Sequence, residues 1–387
     1  MYKILTLNNI SPKGLDRFGH EHYEVASEIS QPDAVMVRSF NMHQMEIPAS
    51  LKAVGRAGAG VNNIPLDAMT ERGVAVFNAP GANANAVKEL VLAGMLLAAR
   101  NICQAWDYTR NLTGDDATLH KQVEAGKKQF SGFELPGRTL GVVGLGAIGV
   151  QVANAARALG MNVIGFDPHI TVRAAWQLDA GVLQALSVDD LIARCDMVTF
   201  HVPLNDHTRH LLNRERLQSM RDGAVVLNFA REGIVDEAAV LEALEAGRLR
   251  NYVCDFPSNH LMGQVGVIAL PHLGASTQEA EENCAVMVAD QLREYLEHGN
   301  VRNSVNLPEV VLPRAGKTRL AVINRNLPDM VGQISHVLGQ NSINIIHMVN
   351  ESRAGVAYNL IDVEGEIGEE AARAIAGIDG VLRVRVL

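Results

Sequence analysis

The chain has 387 residues, 48% of them hydrophobic and 20% charged, and a formal net charge of −9. This length predicts two or three domains, the composition excludes extended disorder, and the acidic balance leaves no diffuse positive field for nucleic acid or anionic lipid. Cys103, Cys195, Cys254 and Cys284 are scattered without a CxxC spacing, so no metal site and no disulfide framework is expected, only four buried thiols in a reducing cytoplasm. The amino terminus MYKILTLNN reads as a strand and not as a signal peptide. The run LVLAGMLLAA at 90–99 is too short to span a bilayer. The expectation is a cytoplasmic protein with no membrane and no nucleic-acid partner.

From residue 3 to about 80, the apolar runs KILTLN, DAVMVRS, KAVGRAG and VAVFNAP alternate with helical stretches, one of which, PLDAMTERG, stops at a glycine. That alternation predicts a parallel α/β sheet. One long helix is expected over NAVKELVLAGMLLAARNICQAWDYTR. The rhythm then restarts with strand RTLGVVGLG, helix AIGVQVANAARALG and strand MNVIGFDP, followed by strands CDMVTFHVP, AVVLNFA and LRNYVCDFP, with GVIALPH as one more. This is a doubly wound, Rossmann-type nucleotide domain. A second long helix, STQEAEENCAVMVADQLREYLEHG, follows it.

Two long helices flanking the nucleotide domain predict that the chain leaves one domain, builds another and returns, as insertion between neighbouring surface termini permits. The expected divisions are 1–99 with 284–304 for a flavodoxin-like α/β substrate-binding domain, 100–283 for the nucleotide domain, a proline-rich linker at 305–316, and a tail at 317–387. The tail reads TRLAVIN, PDMVGQISHVLGQN, INIIHMVN, GVAYNLIDVE, GEEAARAIAGI and VLRVRVL. That is the βαββαβ order of a ferredoxin-like unit.

Within GVVGLGAIG, Gly144, Gly146 and Gly149 follow a strand and open a helix, and Asp167 closes the next strand. In this context the spacing predicts a dinucleotide site. The glycines allow a tight turn and close backbone approach, while Ala147 and Ile148 begin a helix whose free N–H groups face a pyrophosphate. Asp167 would accept from the ribose hydroxyls of NAD and repel a 2′-phosphate. The plainer alternative is a glycine turn that serves only strand–helix packing, with Asp167 an exposed turn residue before Pro168.

Three later segments resemble the D-isomer-specific 2-hydroxyacid dehydrogenases. VVLNFAREGIVDEAAVLEAL resembles the block carrying the family's substrate arginine, here Arg231, with Phe229 and Ala230 beside the cofactor. ALPHLGASTQEAEENC resembles the block with its catalytic histidine, here His272, and YVCDFP the block that sets Asp255 near the nicotinamide. RAGAGVNNIPLDAMTERGVAVFNAPGANANAVKELVLAGMLLAAR extends the resemblance over 1–304. The tail resembles an ACT domain, a small regulatory module. The pairing implies an NAD-dependent oxidation of 3-phosphoglycerate, or of a related 2-hydroxy acid, at the start of L-serine synthesis.

The chemistry stands beside the resemblance. Oxidising a 2-hydroxy acid needs a base for the hydroxyl proton, and histidine is suited to it; the alternative for His272 is a ring packed at a helix start. Arg231 can hold a carboxylate bidentately and polarise the carbonyl that forms; its alternative is a surface ion pair with Glu232. The family places a glutamate two residues after the proline of its DVFP block, against the histidine, and this chain has Asn259 there. Glu232, Asp255 and Glu281 are the candidates to replace it, and the spacing does not choose among them.

For substrate, the resemblance nominates Arg38, Ser39, the loop Ala59, Gly60 and Val61, and Asn83, with backbone N–H groups of the loop binding a carboxylate. Lys88, Lys127 and Lys128 are further phosphate candidates, set against a reading as solvated surface charge. In the tail, Asn326 and Asn344 match positions that bind an L-serine effector, but Asn324 stands where a histidine is common and Asp329 replaces a glycine after Pro328. The resemblance also implies a homodimer or homotetramer. Two competing functions stay open: a hydroxypyruvate, glyoxylate or other D-2-hydroxyacid reductase, and a non-catalytic NAD-sensing, corepressor-like protein.

Overall fold

The computed structural model describes all residues from Met1 to Leu387. They form two compact units, one of Met1–Asn83 with Gln278–Leu387, the other of Ala84–Thr277.

The first unit opens with β1 (Tyr2–Leu7), β2 (Tyr23–Ala26), β3 (Ala34–Val37), β4 (Ala53–Arg56) and β5 (Ala75–Phe77), all parallel in the order β2-β1-β3-β4-β5. This is the flavodoxin-like order. Strand β2 is not among the expected runs, because the short sequence YEVA carries little periodicity. The helix Gln278–His298 packs on this sheet, and Gly55 lets it approach: a Cβ there would stand 2.3 Å from a Val288 methyl.

The second unit contains β6 (Thr139–Val143), β7 (Asn162–Phe166), β8 (Leu183–Gln184), β9 (Met197–Phe200), β10 (Ala224–Asn228), β11 (Leu249–Cys254) and β12 (Val267–Ala269). They form one parallel sheet in the order β12-β11-β10-β9-β6-β7-β8, doubly wound as expected, with β8 as an unforeseen two-residue edge. The single long helix expected from residue 85 is two helices. Ala84–Arg100 ends where Asn101 takes a left-handed φ of 49° and its amide reaches the carbonyls of Phe130 and Ser131, and Ile102–Arg110 then sets off afresh. Val91, Met95, Ala98 and Ala99 bury the helix Ala84–Arg100 against the nucleotide sheet, so it belongs with the second unit and the division falls at 83/84 and not at 99/100. The return falls at 277/278, which assigns the whole helix Gln278–His298 to the first unit.

The tail adds β13 (Thr318–Arg325), β14 (Ile345–Arg353), β15 (Val356–Val363) and β16 (Val381–Val386), antiparallel in the order β14-β15-β13-β16, with the helices Met330–Gln340 and Glu369–Ala376 between them. One face of this sheet packs Leu320, Val322 and Ile361 against Ile334 and Ile375 of its own helices. The other joins the first sheet's core through Ala321, Ile323, Tyr358 and Leu360.

Docking of the tail is also polar. The last turn of helix Gln278–His298 leaves carbonyls without intrahelical partners; Arg385 donates to Tyr295 and Leu296, Arg319 to His298, and the Tyr358 hydroxyl to Gly299. Cations at this end also suit the helix dipole. The expected linker is packed as well, with Leu307 and Val310 buried and Val301 bridged to Val310. Of the four cysteines all are free thiols, three buried and Cys103 half-buried, where four buried were expected. No helix is long and apolar enough to cross a membrane.

Candidate active site

The ends of five parallel strands of the second unit lie in register: Val143 pairs with Phe200, Phe200 with Asn228, Asn228 with Cys254, and Cys254 with Ala269. The glycine turn leaves β6, Arg231 follows β10, Asp255 follows β11 and His272 follows β12, so all four features emerge along one carboxyl edge. Ligands of open α/β sheets bind at that edge. Strands β10 and β12 flank β11, which separates their ends by about 10 Å at the usual strand spacing.

At the turn, Gly144 has φ 92° and a Cβ there would stand 2.6 Å from the His201 carbonyl, while a Cβ on Gly149 would stand 1.9 Å from the Gly144 carbonyl. Both glycines are required by the fold. Gly146 differs, since a Cβ there would meet nothing within 4 Å. It caps the helix Ala147–Ala158 without a side-chain hydrogen bond, and the N–H groups of Gly146, Ala147 and Ile148 find no acceptor in the chain. Free donors above open space suit a pyrophosphate. The Asp167 carboxylate accepts from Leu145 N–H and from His169 N–H, both at 2.8 Å. It is therefore a brace for the glycine turn.

Asn228 closes β10 and steers the chain beyond it: its amide donates to the Arg231 carbonyl at 3.0 Å and accepts from Ala230 N–H at 3.2 Å. Sequence reasoning missed this residue, though a lone polar side chain ending AVVLN was the available signal. Phe229, expected beside the cofactor, is buried, and its ring fills the space left by Gly94. Arg231 is exposed and donates one N–H to the Ala230 carbonyl at 2.7 Å. It makes no ion pair with Glu232.

Asp255 is 1% exposed, and its oxygens accept from Leu273 N–H at 2.7 Å and Gly274 N–H at 2.8 Å. The carboxylate thus clamps the turn just after His272, whose own backbone holds a left-handed φ of 55°. The His272 ring is exposed and meets the Phe256 ring edge-on at 5.0 Å. None of the three carboxylates considered as replacements for the family glutamate bonds this ring. Asp255 is committed to the clamp, Glu232 is exposed, and Glu281 pairs with Arg38 at 2.5 Å. Asn259 is exposed and makes no hydrogen bond to the imidazole.

A second histidine at this edge escaped notice. His201 follows β9; its Nε2 lies 3.1 Å from the Thr199 hydroxyl, its Nδ1 is buried without a partner, and burial pushes its pKa down to about 3. It is a neutral ring at any working pH.

In the first unit, Arg38 and Ser39 line a depression of about 310 Å³ with Asn8 and Asn9, and Ser39 N–H donates to Asn8 Oδ1 at 3.2 Å. The N–H groups of Ala59, Gly60 and Val61 have no acceptor within the chain, while the Asn78 amide holds the Ala59 carbonyl at 2.6 Å. Such an open row of donors suits an anion. Asn83 is half-buried immediately before the helix Ala84–Arg100. Lys88, its side chain half-buried, pairs with Glu89 at 3.7 Å; Lys127 pairs with Glu124 at 2.5 Å as exposed surface charge, and Lys128 sits exposed in the adjoining 3-10 turn.

In the tail, the Asn344 amide donates to Glu364 at 3.0 Å and Asn326 N–H to the Gly355 carbonyl at 2.9 Å. Asn324 is fully buried in an asparagine ladder, accepting from Asn359, which accepts from Asn350. Asp329 has a left-handed φ of 64°, a conformation the expected glycine takes without strain. No cluster of His, Cys, Asp and Glu could hold a metal ion.

Residues 92–274 match the family model described as D-isomer specific 2-hydroxyacid dehydrogenase, NAD binding domain. Among curated proteins, the chain is 38% identical over 335 residues to a D-3-phosphoglycerate dehydrogenase of Methanocaldococcus jannaschii, covering 84% of this chain and 61% of that one. It is 33% identical over 355 residues to the enzyme of that name from Haemophilus influenzae, covering 89% and 83%. Thus the chain spans only about 60% of the length of the first of these relatives. Among solved structures, a 3-phosphoglycerate dehydrogenase of Entamoeba histolytica with bound NAD+ shares the fold, with TM-score 0.61, 24% identity, and coverage of 79% of this chain and 98% of that one.

Proposed function

This chain belongs to the D-isomer-specific 2-hydroxyacid dehydrogenase family, and on that premise we propose that it oxidises 3-phospho-D-glycerate to 3-phosphohydroxypyruvate with NAD, the opening step of L-serine synthesis. The observation that carries the reading is the shared carboxyl edge, along which the glycine turn, Arg231, Asp255 and His272 emerge from strands in register.

NAD bound at the glycine turn supplies the hydride acceptor for C2. The remaining work falls to this chain's side chains. His272 takes the hydroxyl proton as the C2 hydrogen departs, its ring steadied by the edge of Phe256 and its backbone by the Asp255 clamp. Arg231 keeps one N–H on the Ala230 carbonyl and turns the others to the substrate carboxylate and the oxygen that becomes a carbonyl. In the first unit, the free N–H row at 59–61 suits a carboxylate and Arg38 a phosphate, though Arg38 shares its guanidinium with Glu281. An L-serine effector at Asn326 and Asn344 belongs to the same reading and has to compete with Glu364 for the Asn344 amide. So does a cytoplasmic homodimer or homotetramer, supported by Trp106 at 62% and Ile102 at 43% exposure on the helix Ile102–Arg110.

The test follows NADH absorbance with 3-phosphoglycerate and NAD. Wild type is expected to turn over, and His272→Ala to lose about 10²- to 10⁴-fold in kcat while NAD affinity is kept. Faster turnover of hydroxypyruvate or glyoxylate than of the phosphorylated acid would make this protein a reductase of the same family. A wild type that binds NAD yet is inert in both directions with every 2-hydroxy acid would make it a sensor.

A further inference from the structure

Asn8, Asn9, Arg38 and Ser39 line the depression of about 310 Å³ at the carboxyl edge of the first sheet. Asn8, Asn9 and Ser39 are neutral, so Arg38 supplies the only formal charge of this lining. Its backbone is held in place: Val37 pairs with Arg56 in register, and the Arg38 carbonyl accepts from Arg56 Nε at 3.0 Å and from the Asn63 amide at 3.4 Å. Its side chain has one partner, with Nη2 donating to Glu281 at 2.5 Å. Glu281 stands in the first turn of helix Gln278–His298, so the helix and not the strand end sets where that carboxylate sits.

Both members of the pair are accessible, at 38% and 42% side-chain exposure. An ion pair so exposed is weak and can be exchanged for another anion. Arg38 spends one of its N–H groups on Glu281, which leaves the guanidinium donors for a second acceptor. The carboxylate meanwhile cancels the charge that would draw an anion and repels a dianion brought close. A doubly charged phosphate entering the depression therefore meets a nearly neutral wall.

We infer that Glu281 is a specificity-determining residue: by occupying and neutralising Arg38, it lowers the affinity for an acid that carries a phosphate relative to the same acid without one. The inference deepens the function proposed above and rests on its pairing of Arg38 with the substrate phosphate. It assigns Glu281 to that end of the substrate and not to the His272 ring, to which it makes no bond.

The experiment is isothermal titration calorimetry of the full chain saturated with NADH, against 3-phospho-D-glycerate and D-glycerate, in wild type, Glu281→Gln, Arg38→Ala and the double variant. Thermal melts check that each is folded. Glu281→Gln is expected to tighten 3-phosphoglycerate about three- to tenfold and to shift D-glycerate by less than about twofold. Arg38→Ala is expected to weaken 3-phosphoglycerate at least about tenfold, and Glu281→Gln added to it to gain less than about twofold, because the two act as one unit. Unchanged 3-phosphoglycerate affinity in Glu281→Gln would overturn the inference and leave the pair as a tie between helix and strand end. Equal tightening of both acids, or no binding of 3-phosphoglycerate by any form, would overturn it as well. Since binding is read and not turnover, an enzyme inert toward 3-phosphoglycerate whose calorimetry still follows Glu281 would refute the proposed reaction and uphold this inference.

Discussion

Replacing Asp255 by asparagine isolates the clamp from the chemistry. The carboxylate is buried and receives the N–H groups of Leu273 and Gly274 at 2.7 and 2.8 Å. Hydrogen bonds to a charged group contribute about 1.5–3 kcal/mol each, together about 3–6 kcal/mol. Against this, the left-handed backbone of His272, φ 55°, costs about 1–2 kcal/mol. The clamp wins by a margin that asparagine narrows, because its carbonyl still takes one N–H but its NH₂ faces the other. A loss of about 2–3 kcal/mol follows, which speeds local opening about 30- to 150-fold. Amide hydrogen exchange at Leu273 and Gly274, read against Val253 in β11, measures it. NAD affinity is expected to hold while kcat falls, since the variant frees the backbone that aims His272. Unchanged exchange at both amides together with lost activity would refute the clamp and assign Asp255 to the cofactor.

The glycines of the turn separate folding from binding. Gly149→Ala, with its Cβ 1.9 Å from a carbonyl, is expected to lower the melting temperature by several degrees, whereas Gly146→Val, pointing into open space, is expected to leave it unchanged and weaken NAD binding in a fluorescence titration. His201 is neutral when folded, its pKa pushed down to about 3 by burial, whereas the unfolded chain takes up that proton near 6.5. The unfolded state therefore binds the extra proton as pH falls from about 6.5, and stability drops by about 1.4 kcal/mol per pH unit; His201→Gln should flatten that slope in urea titrations at successive pH values. Burial pushes the Asp362 carboxyl up, but the Arg319 hydrogen bonds, the Ala315 N–H and the Arg319 and Arg314 charges outweigh it and hold it below its usual range. Its contribution is thus full above about pH 3.9 and lost as pH falls further. Asp362→Asn leaves Arg319 buried without its counter-charge, and should destabilise the first unit by about 3–5 kcal/mol in chemical denaturation.

Much of the fold was legible because its signals are local. Alternating apolar runs marked both parallel sheets, and the βαββαβ order marked the tail. The misses are also local in cause: YEVA and the two-residue β8 are too short for a period to register, and the break at Asn101 rests on carbonyls of residues 130 and 131, thirty positions away. Within the site, Gly144 and Gly149 were legible as a turn, but that Asp167 braces it through the Leu145 N–H was not. The part Asp255 plays was not, since its acceptors face residues 273 and 274. Nor could spacing choose a carboxylate for His272, and the structure pairs Glu281 with Arg38.

By itself the sequence determined the two sheets, the tail, the glycine turn and the family, since periodicity, glycine placement and ordered motifs are read along the chain. Only the tertiary structure decided that the helix Ala84–Arg100 belongs with the nucleotide sheet, that the tail caps the last turn of helix Gln278–His298, and that Asp255 holds the turn beside His272. Those are matters of which buried group meets which across dozens of residues, and close packing with full hydrogen-bond satisfaction selects among pairings that local propensity leaves equal.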